Sequence, residues 1–67
     1  MDQTQDTNDI RAHRARVAID VYLGLPGVDP DCPIRDLLAD MMHFCVSRGI
    51  DFDRELKLAV GNFEAEK

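Results

Sequence analysis

The ten residues LPGVDPDCPI, numbered 25–34, hold all 3 prolines of the chain. Proline lacks a backbone N–H and fixes φ, so neither a helix nor a central strand passes through Pro26 or Pro30. The residues ahead of Pro30 and Pro33, Asp29 and Cys32, are biased towards extended backbone. One obligatory loop therefore divides the chain. Pro33 can still open a second helix, because the first turn of a helix leaves its N–H unused in any case.

Both flanks read as helix. On the N-terminal side Thr7, Asn8 or Asp9 caps a helix spanning about 8–24, and Gly24 and Pro26 end it. Its apolar positions are Ile10, Val17, Ala18, Val21 and Leu25, with Ile19 and Tyr22 on a neighbouring strip. The second helix, about 33–48, carries the strongest pattern: Ile34, Leu37, Leu38, Met41, Met42 and Cys45 recur at i, i+3, i+4, i+7, i+8 and i+11. That spacing predicts a full core stripe. Arg48 and Gly49 end it, and Asp51 caps a third helix at about 52–65, whose expected buried face is Phe52, Leu56, Ala59, Val60 and Phe63. The short link between the last two makes them an antiparallel hairpin. The expectation is an all-α fold: a small bundle of three helices in one domain, 9–67, preceded by a disordered polar tail at 1–8.

At 67 residues such a domain buries little of its own surface, and nature's usual supplements are a disulfide, a metal or a second chain. Only 2 cysteines are present, Cys32 and Cys45, and nothing in the sequence looks secretory, so both are expected as thiols in a cytoplasmic protein. No apolar stretch is long enough for a membrane span. Association with another copy remains, and Phe44, off the main stripe beside Met41 and Met42, is the expected contact of a homodimer.

Charge narrows the partners. Thirteen acidic against 8 basic side chains give a net charge of -5 and disfavour direct nucleic-acid binding. The basic group Arg11, His13, Arg14 and Arg16 is too small to reverse that. A helix–turn–helix reader is also disfavoured, because the third helix opens with Asp53 and Glu55 where phosphate and base contacts belong.

Asp36, Asp40 and His43 fall at i, i+4 and i+7 on one side of the second helix. Two carboxylates and an imidazole suit a divalent ion such as magnesium, or acid–base chemistry. The plainer alternative is a solvated acidic face, favourable near a helix N-terminus. Zinc on Cys32, Cys45, His43 and His13 is disfavoured: His43 and Cys45 lie about 200° apart around their helix, and no C-x-x-C or H-x-x-x-H pair exists. Cys32, among Asp29, Asp31 and Asp36, is a poor nucleophile, since carboxylates oppose a thiolate. No glycine-rich phosphate loop is present.

The segment DLLADMMHFCVSRGIDFDRELKLAV resembles the second helix pair of MazG-like nucleotide pyrophosphohydrolases, in which an acidic helix with a Leu-Ala-Asp element leads through a Gly-Ile-Asp turn into another helix. The resemblance implies a packed helix pair and, for the family, magnesium held by carboxylates on two helices. Asp36 and Asp40 match part of that motif. Leu37 stands where the family places a metal-binding glutamate, and the first helix has no glutamate to complete a Glu-x-x-Glu pair. The wider pattern LLADMMHFC, GIDFD and FEAE looks like small uncharacterised helical proteins of bacteria, phages and mobile elements. The expectation is a non-enzymatic protein that binds another protein, in the manner of a phage- or mobile-element-type inhibitor. Asp29, Asp31, Asp36, Asp40 and Phe44 are its candidate contact residues, and no cofactor is expected. The alternative is a degenerate, metal-dependent nucleotide-binding or pyrophosphohydrolase-like domain using Asp36, Asp40 and His43.

Overall fold

A computed structural model describes residues 3–67, with side chains from residue 7 onward. Three helices form, α1 (Gln3–Leu23), α2 (Pro33–Arg48) and α3 (Phe52–Glu66), and no strand occurs among the described residues. The fold is an all-α bundle in which α2 touches both neighbours. α1 starts at Gln3, ahead of the start expected at residue 8. Of the expected tail, Met1 and Asp2 lie outside the described residues. None of these helices is long and apolar enough to cross a membrane.

The local signals act as the chemistry requires. Pro33 opens α2 directly after Cys32. At the other end Gly49 takes the left-handed conformation (φ 69°), which carries no steric penalty only for glycine. Its N–H donates to the Val46 carbonyl at 3.3 Å, and the next, Ile50, donates to Cys45 at 2.9 Å. The two bonds make a Schellman stop. Asp51 then accepts the Arg54 N–H at 3.1 Å and caps α3. α1 ends differently. Gly24 and Leu25 donate three residues back, to Val21 and Tyr22, tightening the last turn without positive φ, and the left-handed glycine of that loop is Gly27 (φ 83°).

α3 returns beside α1. The Asn8 side-chain amide donates to the Glu66 carbonyl at 2.9 Å, and the Arg11 guanidinium pairs with the Glu66 carboxylate at 2.7 Å. These two polar contacts join the early turns of α1 to the end of α3.

The interior departs most from expectation. Among the described residues the only buried apolar side chains are Tyr22 and Cys45, each 8% exposed. The stripe expected as core on α2 is largely open: Leu38 and Met41 are each 44% exposed, Met42 and Ile34 more so, and only Leu37 is half-buried beside Cys45. On α3 only Phe52 of the expected face is half-buried, while Leu56, Val60 and Phe63 are exposed. On α1 the main and neighbouring strips exchange roles. Ile19 and Tyr22 turn inward, and Ile10, Val17, Val21 and Leu25 face out. The radius of gyration is 14.0 Å, against about 11 Å for a compact domain of this length. The helices form and meet, but they do not close over a core.

Candidate functional site

Two regions stand out: a carboxylate-rich loop and an apolar cleft. In the loop, Asp29 is the organiser. Its carboxylate accepts the Asp31 N–H at 2.9 Å and the Cys32 thiol at 3.3 Å, while its own N–H donates to the Asp36 carboxylate at 3.0 Å. The Asp31 N–H, and secondly the Cys32 thiol, hold Asp29 below the ordinary carboxylate range. The same bond to Asp29, then desolvation and the nearby negative charges of Asp29 and Asp36, push the Cys32 thiol up. Cys32 is therefore a poor thiolate, as its acidic neighbours predict.

Farther along α2, Asp40 accepts the Tyr22 hydroxyl at 2.5 Å. That bond, with lesser contributions from desolvation and the charge of Asp40, pushes the Tyr22 hydroxyl up to about 12. A solvated acidic face would have Asp36 and Asp40 projecting freely from α2, so that reversing both leaves the bundle intact. They do not project freely. Asp36 closes the loop onto the first turn of α2, and Asp40 fastens α1. Asp29, Asp31 and Asp40 are all exposed, but of the group only the Asp31 side chain makes no hydrogen bond or ion pair among the described residues. His43 also faces solvent, and among the described residues no three His, Cys, Asp or Glu side chains come together in a way that would hold a metal ion.

The cleft lies between α2 and α3. Its volume is about 550 Å³, and Leu38, Met41, Phe44, Ile50, Phe52 and Leu56 make most of its wall. Cys45 and Ala59 form part of its lining, and its one charged residue is Glu55. Phe44 is 53% exposed, with the Arg48 guanidinium carbon 5.4 Å from its ring centroid, a cation–π contact. Phe44 is the cleft residue that the sequence marks as a contact, whereas Leu38, Met41, Cys45, Phe52, Leu56 and Ala59 read there as core. Ile50 reads from sequence as a turn residue and Glu55 as an ordinary charge of the third helix, and no local pattern marks either as cleft-lining. A smaller opening of about 430 Å³ lies between α1 and α3, edged by Asn8, Arg11, Ala12, Phe63 and Glu66. It is partly bridged by the polar contacts of Glu66.

No family model, curated protein or solved structure matches this chain.

Proposed function

We propose that this chain is a non-catalytic helical interaction module whose working surface is the apolar cleft between α2 and α3. The observation that carries this reading is the wall of Leu38, Met41, Phe44, Ile50, Phe52 and Leu56 around a space of about 550 Å³, in a chain with only two buried apolar side chains among its described residues. Contiguous apolar surface of this kind on a small domain marks a place where another polypeptide sits. The carboxylates contribute at the edge. Asp31 is free to meet a basic partner, whereas Asp29, Asp36 and Asp40 act mainly by holding the loop and α1 in position. A cytoplasmic setting goes with this reading, since Cys32 and Cys45 are both free thiols. Occupying a partner's surface is also how a small inhibitor of the phage or mobile-element type would act.

The metal-dependent nucleotide reading draws less support. It requires Asp36, Asp40 and His43 to converge on an ion, and two of the three are engaged elsewhere. Affinity capture from extracts of the source cells tests the choice, using the wild-type chain, Leu56→Glu and Asp31→Asn. A polypeptide retained by wild type and Asp31→Asn but lost with Leu56→Glu supports the cleft. Retention indifferent to Leu56→Glu, together with magnesium-induced NMR shifts confined to Asp36, Asp40 and His43, overturns it.

A further inference from the structure

Beyond its cleft, the molecule carries a second apolar surface. Ile10, Val17 and Val21 are all exposed on α1, and at about 100° per residue they fall within a narrow arc of the helix. Arg14 lies beside them on the same strip. The flank of α1 that lies about 90–150° round from this strip is already committed, through Tyr22 to Asp40 on α2 and through Asn8 and Arg11 to Glu66 on α3. The strip therefore cannot turn to fill the cleft of its own chain while those contacts hold.

We propose that the cleft is filled by a second copy of this chain, the Ile10–Val17–Val21 strip of one protomer seating between α2 and α3 of the other. The proposal rests on the reading of the cleft as an interaction surface and names its occupant. Three observations point to a copy. The first is area. The accessible surface is 5780 Å², whereas a compact folded monomer of 7.6 kDa exposes about 4,300 Å². The excess, roughly 1,500 Å², exceeds the ~800 Å² per partner that a stable interface of standard size covers. The second is shape. Two clefts set face to face leave a void, but a ridge of branched side chains fills a groove. Each chain has one ridge and one groove, so two copies can close on each other in two equivalent contacts.

The third observation is charge. Arg14 beside the ridge and Glu55 in the groove make no ion pair among the described residues of their own chain. A ridge seated in the partner's groove brings the cation to the anion, twice per dimer. This local complementarity offsets the repulsion between two chains that each carry a net charge of -5. Face-to-face clefts would instead oppose Glu55 to Glu55.

Sedimentation equilibrium with a charge swap tests the arrangement. Arg14→Glu and Glu55→Arg each place like charges at both contacts and should weaken the dimer about tenfold. An equimolar mixture of the two places opposite charges at both contacts of the mixed dimer, one of them reversed, and should recover association towards the wild-type level. Both positions are exposed, and unchanged circular dichroism shows that the variants fold. Val17→Glu, which puts a charge on the ridge itself, should give monomer. A wild-type dimer indifferent to all three substitutions, or a mixture no better than its components, overturns the proposed pairing. A strictly monomeric wild type overturns it as well. In that last case a partner captured in a Leu56-dependent way leaves the interaction reading standing, and only the identity of the occupant fails.

Discussion

The Tyr22 hydroxyl donates to the Asp40 carboxylate at 2.5 Å, across a separation of 18 residues, and fastens the last turn of α1 to the middle of α2. Tyr22 is one of only two buried apolar side chains among the described residues, so the one aromatic ring that α1 turns inward also carries a polar tether. A buried tyrosine hydroxyl needs a partner, and a carboxylate is a strong one.

That bond makes an alkaline prediction. The hydroxyl is pushed up from 10.0 to about 12 in the folded chain, chiefly because its proton is shared with Asp40. A group that holds its proton more tightly when folded stabilises the fold fully below its unfolded pKa. Its contribution is lost as pH rises through the folded value. The tether is therefore intact below pH 10 and fails between 10 and about 12. Tyr22 is the only tyrosine and there is no tryptophan, so tyrosinate absorbance reports this residue alone. Native titration near 12, falling to 10 in urea and back towards 10 with Asp40→Asn, is the expected result. A native midpoint at the ordinary value would sink the tether.

The loop makes a prediction about thiol reactivity. Cys32 is half-buried and pushed up by its bond to the Asp29 carboxylate, so iodoacetamide should modify it slowly near neutral pH. Asp29→Asn removes the principal cause and should speed alkylation at Cys32 several-fold. Cys45, a buried thiol, should stay unmodified until the chain unfolds. Peptide mapping by mass spectrometry separates the two thiols, and a Cys32 rate indifferent to Asp29→Asn would show that the carboxylate does not control it.

How far the fold is legible in the sequence depends on the range of each interaction. Pro33, Gly49 and Asp51 act on backbone groups within a few residues of themselves, and all three behave as their neighbours in sequence require. The facing of α1 is not legible. Its inward side is built from Ile19, Tyr22 and the polar Asn8, whereas its more apolar strip faces out, so ranking strips by hydrophobicity selects the wrong one. The roles of Asp36 and Asp40 are hidden for a related reason. Helical spacing places both on one side of α2, but whether that side is solvated depends on Asp29 and Tyr22, and Tyr22 lies on another helix. Phe44 is legible as a candidate contact because an aromatic ring off the main stripe has few places to go.

Gly61 offers a stabilising substitution. It lies inside α3 and has no positive φ, and a methyl group there meets nothing within 4 Å. Gly61→Ala should raise stability by about 0.5–1 kcal/mol by reducing the freedom of the unfolded chain. Gly49→Ala should do the reverse, because the left-handed turn that ends α2 strains any residue with a Cβ. Thermal melts of the two variants check both signs.

Leu38 distinguishes an open fold from a covered one. In a closed core, Leu→Ala costs about 2–5 kcal/mol. In the single chain Leu38 is 44% exposed, so truncation removes only part of a buried side chain and should cost about 1–2 kcal/mol in dilute solution. Leu38 also lines the cleft between α2 and α3. If a second chain seats there, the same side chain becomes buried as concentration rises, and the cost of its loss should climb towards the closed-core range. Urea midpoints for wild type and Leu38→Ala, measured at low and high chain concentration, give the difference directly. A small cost at low concentration that grows as the chains associate is the expected outcome. A constant cost of about 1–2 kcal/mol would place association elsewhere on the molecule, and a constant cost above that range would mean that Leu38 is already buried in the single chain.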